Sequence, residues 1–490
     1  MKKIMSWLML VVTVSVALLG GFAQPSHAAT ATTDDSLARV KEKGTLVMGT
    51  SPDYPPYEFL VNRGGKDRVV GMDVDIAKKI AKDLGVKLVI KQMDFDSLLV
   101  ALETNKVDMV ISGMSPTPAR QKSVDFSKVY YKGGQSIIIN KADKGLYKNK
   151  DSFRNKAVGA QTGSIQYNLG KKQIKGSTVK GLAKISDLIL ALKSHKVEGV
   201  IMEEPSAQAY VDNDPDLAMI DGKFSLGSGE NNTAIGFKKG STSLVNAVNK
   251  SVDEINQKNL TKTYLKHAGT FMKTNTKNTS MWHYAGYFVK GVEYTLLITV
   301  VSVFFGILLG ILFALMRLSK MKLIHGLGVA YIEFVRGTPL MIQVMFVYFG
   351  IGLFINIPAL IAGIIAVSLN SAAYVAEIIR GGINSVAKGQ TEAARSLGLS
   401  RQQTFQSVVF PQALKNIWPA LGNEFVSLIK ESSIVSIIGV TDLIYQLKAV
   451  QTATYKGVIP IVVAMIIYFV LTFSLSKVLN HYERKMKHDA

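Results

Sequence analysis

Beyond about Tyr287 the chain carries five apolar segments long enough to cross a bilayer: about 291–316, 323–352, 358–380, 412–440 and 458–479. Nothing before that point, apart from the first residues, is comparably apolar. Half of the chain must therefore solve the lipid problem with helices, while the other half folds in water. The second and fourth segments contain Pro339 and Pro419, so both are expected to bend. Arg317, Lys320 and Lys322 follow the first segment, and Arg380, Lys388, Arg395 and Arg401 lie in the loop 380–401. Arg484, Lys485 and Lys487 sit in the tail. If these basic groups are cytoplasmic, the soluble part is outside, the C-terminus is inside, and the number of spans is odd.

Lys2 and Lys3, the apolar run Ile4–Leu19 and Ser26-His27-Ala28 read as a secretion signal over residues 1–28. From Thr45 onward short apolar strands alternate with amphipathic helices. Ile76, Ile80 and Leu84 mark one helix, and Val107–Ile111 and Val197–Met202 read as buried strands. The pattern predicts two α/β lobes with mostly parallel sheets. Lobe 1 spans about 37–136 and 235–272, and lobe 2 about 137–234. The crossings near Gln135–Asn140 and Asn231–Phe237 are expected to form the hinge. A polar linker, 273–286, leads into the membrane part.

Cysteine is absent, which excludes disulfides, thiolate metal sites and a lipoprotein anchor. The formal charge is +21. Without a basic stripe interleaved with aromatics, that charge suits cytoplasmic loops on anionic lipid better than nucleic acid. No Gly-x4-Gly-Lys-Ser/Thr occurs, so the chain alone cannot hydrolyse ATP.

Three soluble segments carry polar chemistry at strand ends: Gly49–Phe59, Ser112–Arg120 and Met202–Pro205. A zwitterion needs a two-donor fork for its carboxylate and an anion for its ammonium, and Arg120 and Glu203 can supply these from opposite lobes. Closure around such a ligand would follow.

These segments resemble the polar amino-acid (family 3) solute-binding proteins. Gly71-Met-Asp-Val-Asp-Ile76, Ser112–Arg120 followed by Val124-Asp-Phe-Ser127, and Gln161-Thr-Gly-Ser164 carry the likeness over 37–272. The resemblance implies a type II periplasmic-binding-protein-like α/β domain. In it Arg120 binds the α-carboxylate, assisted by Ser112, Ser115 and the Gly113 backbone. Ser164 adds a further N–H, Tyr54 and Phe95 sandwich the side-chain stem, and Glu203 takes the ammonium in place of the usual Asp. Asp73 and Asp75 read as structural. Ser51, Asp53 and Glu58 are candidates for reading the side chain, with arginine, lysine, histidine and glutamine all open.

In the membrane part, Glu392-Ala-Ala-Arg-Ser-Leu-Gly398 and Val408-Val-Phe-Pro411 resemble the EAA loop of ABC importer permeases. Phe334–Leu340 and Ala373–Gly382 resemble the polar amino-acid permease subfamily. This likeness covers 285–485 and implies an all-α type I permease domain over 287–485. Its EAA loop, 389–411, would couple a separate cytoplasmic ATPase through Glu392, Ala393, Ala394, Gly398 and Pro411. A second copy of the chain is expected as partner, and no cofactor or metal on this chain. Asn416, Asn423, Glu424, Lys430, Glu431 and Ser432 make the fourth span the expected lining of the path. An amino-acid-gated channel on the same binding fold is the alternative. It would need its pore inserted within the binding domain and a Thr-Val-Gly-Tyr-Gly filter, and the chain has neither arrangement.

Overall fold

The computed structural model describes residues 34–63, 66–275, 280–355, 357–454 and 456–488. The expected signal segment and the middle of the linker lie outside the described residues.

The soluble part is two lobes, each built on a five-stranded sheet. Lobe 1 begins with β1 (Thr45–Thr50), β2 (Asp53–Tyr54), β3 (Glu58–Arg63), β4 (Lys66–Val70), α1 (Met72–Leu84), β5 (Lys87–Gln92), β6 (Met109–Val110) and β7 (Val124–Phe126). The chain crosses through β8 (Tyr131–Lys132) into lobe 2. There it forms β9 (Gln135–Asn140), β10 (Ala157–Gln161), α2 (Ile165–Gln173), β11 (Thr178–Leu182), α3 (Ile185–Lys193), β12 (Gly199–Glu203) and β13 (Leu217–Asp221). It returns through β14 (Asn232–Thr233) and closes lobe 1 with β15 (Gly236–Lys238). The sheet orders are β5-β1-β6-β15-β7 and β11-β10-β12-β9-β13.

The βα units pair in parallel, β1 with β5 and β6, and β10 with β11 and β12. The strands that carry the chain between lobes, β9 and β15, pair antiparallel because the chain enters them from the other lobe. Gln135–Asn140, expected as a crossing, is thus a fully buried strand of lobe 2. The crossing is the two-residue ribbon β8–β14, with Tyr131 opposite Thr233. The antiparallel sheet β2-β3-β4 was not read from sequence. The charges of β4 hide its alternation, and only the pairing of Val61 with Arg68 and its neighbours reveals it.

The membrane part contains α4 (Ala285–Leu318), α5 (Lys322–Arg336), α6 (Leu340–Met345), α7 (Ala359–Asn384), α8 (Lys388–Ser396), α9 (Phe410–Glu431), α10 (Leu443–Thr454) and α11 (Val458–His488). Among the described residues, three helices are long and apolar enough to span a bilayer, and up to five spans result if each of two bent pairs counts as one. The first bend, 106°, falls between α5 and α6 at Pro339, as expected. The second, 57°, does not fall at Pro419, which lies inside α9. It falls beyond Gly439, whose φ is +82°. Only glycine adopts that backbone cheaply, and a Cβ there would overlap the carbonyl oxygen of Gln92 in lobe 1. Gly306 and Gly310 let α4 approach α7 at Ser371 and Val375.

The soluble part sits on the membrane part with both lobes. Met93, Leu98 and Val107 of lobe 1 share one apolar cluster with Tyr348, Val435 and Ile438. Lys106 Nζ donates to the Ile357 carbonyl at 3.3 Å and lies 4.8 Å from the Tyr348 ring centre. From lobe 2, Leu190 of α3 packs at Gly457.

Candidate functional site

The site forms where strand-end loops of the two lobes meet. Ser51, Tyr54, Glu58, Phe95, Ser112 and Gly113 from lobe 1, and Gln161, Ser164 and Gln166 from lobe 2, line a narrow space between the lobes. Tyr54 and Phe95 are both among its walls. Tyr54 is backed by Tyr57, stacked at 5.6 Å.

Arg120 sits on a one-turn helix capped by Thr117, placed by the loop after β6. Its Nη1 donates to the Ser115 carbonyl at 2.8 Å, and its Nη2 donates across the cleft to the Gly163 carbonyl at 3.0 Å. The guanidinium carbon lies 5.5 Å from the centre of the Phe95 ring. Burial lowers the Arg120 pKa to about 10, with the Glu203 charge pulling it back.

Glu203 ends β12 and is 4% exposed. Its backbone N–H donates to the Tyr54 hydroxyl at 2.9 Å, joining the lobes. Its side-chain Oε2 is buried without a hydrogen-bond partner among the described residues. Burial pushes the carboxyl up to about 7, against the pull of the Tyr57 hydroxyl and with a push from Asp73.

The remaining donors are largely committed within the protein. The N–H of Gly113, expected to assist a ligand carboxylate, donates to Asp73 Oδ2 at 2.8 Å. The other oxygen of Asp73 accepts from the Tyr130 hydroxyl at 2.9 Å. Asp73 therefore holds the loop that presents Arg120, and burial pushes it up to about 6. The Ser112 hydroxyl donates to Glu58 Oε1 at 2.7 Å. Glu58 is buried, with burial and then Asp73 raising its pKa. Ser115 contributes its carbonyl to Arg120. Both N–H and hydroxyl of Ser164 donate to the Gln161 carbonyl, and the hydroxyl caps α2 by accepting from Tyr167 N–H.

Asp53 is turned away from this space. Its Oδ2 accepts from the Ile185 N–H at 2.9 Å, and its Oδ1 from the Ser51 hydroxyl at 2.8 Å. Lys184 of lobe 2, which no sequence motif marks, reaches Asp94 Oδ1 at 3.0 Å and Asp53 Oδ1 at 3.9 Å. These contacts and the Tyr54–Glu203 bond hold the lobes shut. Gln166, bonded to Gln135 at 2.9 Å, is a further lining residue missed in sequence. Its partner in space is 31 residues away in the chain.

In the membrane part, α8 carries Glu392 and Ala393 exposed and Ala394 buried. It stops at Gly398, whose φ is +87° and whose N–H bonds the Arg395 carbonyl. Leu397 is 84% exposed beside it, and Pro411 is exposed at the start of α9. Arg336 and Glu377, from the two flanking motifs, converge at 3.7 Å, and Arg317 joins at 2.6 Å.

Residues 46–270 match the bacterial extracellular solute-binding proteins, family 3. Residues 306–488 match the binding-protein-dependent transport system inner membrane component. The arginine transport system permease protein ArtQ of Bacillus subtilis is 42% identical over 41% of this chain and 93% of its own length. The arginine-binding extracellular protein ArtP of the same organism is 37% identical over 52% of this chain and 93% of its own. A solved amino acid ABC transporter substrate-binding protein from Streptococcus pneumoniae Canada MDR_19A, bound to L-arginine, is 34% identical. It covers 48% of this chain and 98% of that one, with a TM-score of 0.47.

Proposed function

Because the chain belongs to the amino-acid ABC importers, with a family 3 solute-binding domain and an inner-membrane transport component in one polypeptide, we propose that it captures and imports a cationic amino acid, L-arginine first. It is a membrane-located transport subunit and not an enzyme, and its family works with a partner ATPase. Both halves match importer components, which leaves the ligand-gated channel reading without support.

The buried, unpartnered Glu203 oxygen carries the substrate reading. Arg120 is the fork for the ligand carboxylate. Glu203 takes the ammonium, and Tyr54 and Phe95 hold the stem. Glu58, buried at the same space, faces the side chain. Glu58 and Glu203 are buried acids whose ionisation burial opposes, so a ligand that brings a second positive charge can offset that cost where a neutral one cannot. The relatives' names point the same way, since both halves are similar to arginine-system components. Calorimetry on the full chain in nanodiscs tests this. Arginine is expected to bind at least about tenfold tighter than glutamine, a difference of about 1.4 kcal/mol. Equal binding of glutamine would remove the cationic reading, and no binding of any amino acid would remove the site.

The translocating unit we propose is two copies of the chain with ATPase subunits on the side of Glu392–Gly398 and the C-terminus, the cytoplasmic face. Asn416, Asn423, Lys430 and Glu431 of α9 are exposed on a single copy. Such groups at membrane depth need protein or water, not lipid, which supports a second copy or an aqueous path against this helix. ATP is used by the partner, and no cofactor is proposed for this chain.

A further inference from the structure

The two lobes meet the membrane part on unlike surfaces. Lobe 1 meets it with packed apolar side chains. Leu60 of β3 is buried in one cluster with Tyr284, Leu447 and Val450. Met93 and Val107 are buried in another with Tyr348, Val435 and Ile438. Lys106 is 2% exposed, its ammonium on the Ile357 carbonyl and over the Tyr348 ring. Gln92 accepts from the Tyr445 hydroxyl, and its carbonyl leaves no room for a Cβ at Gly439. The chain also enters the membrane part from lobe 1, whose last helix is Leu260–Asn275.

Lobe 2 has no such seat. Among the described residues, none of its side chains joins an apolar cluster that includes the membrane part. Between α3 and α10 a narrow space remains, with Ser186 and Lys193 on one side and Gln451 and Lys456 on the other. Leu190 reaches Gly457 beside it. Asp187 feels the charge of Lys448, which opposes the rise in pKa that burial causes. A contact with a gap in it separates at lower cost than a filled apolar one. The ties at the cleft itself, Tyr54 with Glu203 and Lys184 with Asp94, run from lobe to lobe and leave lobe 1 on its seat when they break.

We propose that lobe 1 is the fixed part of the receptor and lobe 2 the moving part, so that the receptor opens and reloads by swinging α3 off α10 and Gly457 while Leu60, Met93, Lys106 and Val107 stay docked on the permease. The inference rests on the receptor–permease reading above, but its first readout needs no substrate.

Cysteine is absent from the chain, so introduced pairs report cleanly. Trp282→Cys, exposed at the start of the membrane part, takes one spin label. The second sits on lobe 1 at Lys82→Cys or on lobe 2 at Lys172→Cys, both exposed. In the ligand-free full chain in nanodiscs, the lobe 2 pair is expected to show a second distance, displaced by about 5 Å or more, and the lobe 1 pair a single one. Lys184→Met, which removes a tie between the lobes, should enlarge the second lobe 2 population about threefold or more and leave the lobe 1 pair unchanged. A second distance in the lobe 1 pair would overturn the proposal, because the whole receptor would then leave its seat. So would a lobe 2 pair that stays single in both chains.

A pair of locks gives the second readout. The Leu190 Cβ stands 2.9 Å from the place of a Gly457 Cβ, so Leu190→Cys with Gly457→Cys can close a disulfide after a small shift. That lock should slow exchange of bound arginine about tenfold or more, with recovery in reductant. Bridging Gln92→Cys to Tyr445→Cys with a bismaleimide should leave exchange within about twofold of the unbridged pair. The opposite pattern would overturn the proposal. Failure of arginine to bind would instead strike the substrate reading and leave the distance measurement to decide.

Discussion

The backbone N–H of Glu203 in lobe 2 donates to the phenolic oxygen of Tyr54 in lobe 1 at 2.9 Å. One aromatic residue is thereby both a wall of the cleft and a tie across it. Tyr54→Phe keeps the wall and removes the tie, leaving a buried N–H unsatisfied at a cost of about 1–3 kcal/mol. That cost falls on the shut form alone. Arginine affinity in the full chain is expected to drop about tenfold or more, with the melting midpoint of the ligand-free protein changing far less. Calorimetry and thermal melts separate the two.

Arg120→Ala should abolish measurable arginine binding, a loss of at least about a hundredfold. Arg120→Lys should recover little of it. A lysine cannot serve Ser115, Gly163 and a ligand carboxylate through one planar fork, nor lie as flat over Phe95. Recovery of parental affinity in the lysine variant would show that only the charge matters.

Glu203 is raised from 4.5 to about 7 and Asp73 from 3.8 to about 6, both chiefly by burial. Between those values the folded chain holds protons that the unfolded chain has released. The ligand-free receptor should therefore lose stability as pH rises from about 4 to about 7, Asp73 acting over the lower part of that range and Glu203 over the upper. The ligand ammonium reverses the sign at Glu203, because it favours the ionised form. Arginine affinity should fall as pH drops below about 7, by up to about tenfold per pH unit. Glu203→Gln should bind weakly and without this dependence, measured by titrations across the range.

Arg317, Arg336 and Arg380 all reach Glu377. Glu377→Gln leaves three like charges facing each other between α4, α5 and α7. The groups are partly exposed, so the expected loss is modest, about 1 kcal/mol or less. It should appear as a lower melting midpoint in detergent that high salt partly restores, with arginine binding by the outer domain unchanged.

Gly398 has φ of +87° and nothing within 4 Å of where a Cβ would stand. Gly398→Val therefore strains the backbone without a clash, and the turn after α8 should shift. The expected result is impaired ATP-driven uptake with the arginine affinity of the receptor unaltered. Unimpaired uptake would remove this turn from the coupling surface.

The lining of the space between the lobes was partly legible because it follows strand ends. Tyr54, Phe95, Ser112, Gly113 and Ser164 line the space, while Arg120 bridges Ser115 to Gly163 and Glu203 is bonded to Tyr54, neither of the two lining it. What misled the reading was hydrogen-bond commitment. Gly113 and Ser164 stand where motif position puts them, yet Asp73 and Gln161 take their N–H groups. Asp53 points to Lys184, because a buried carboxylate turns to the nearest cation and helix-end N–H. Pro419 drew the bend that Gly439 makes. A proline costs an intrahelical bond that neighbouring groups can absorb, whereas positive φ redirects the chain outright.

Local pattern was enough for the division into an aqueous α/β half and a lipid-bound helical half, and for the residue types at the ligand. Periodicity and span length act within one segment, so one segment suffices to read them. Which strand pairs antiparallel, which acid faces Lys184, and how α10 meets both lobes depend on groups up to hundreds of residues apart. Those choices are made by burial, which forces each polar group to find its partner in space, and only the folded chain decides who that partner is.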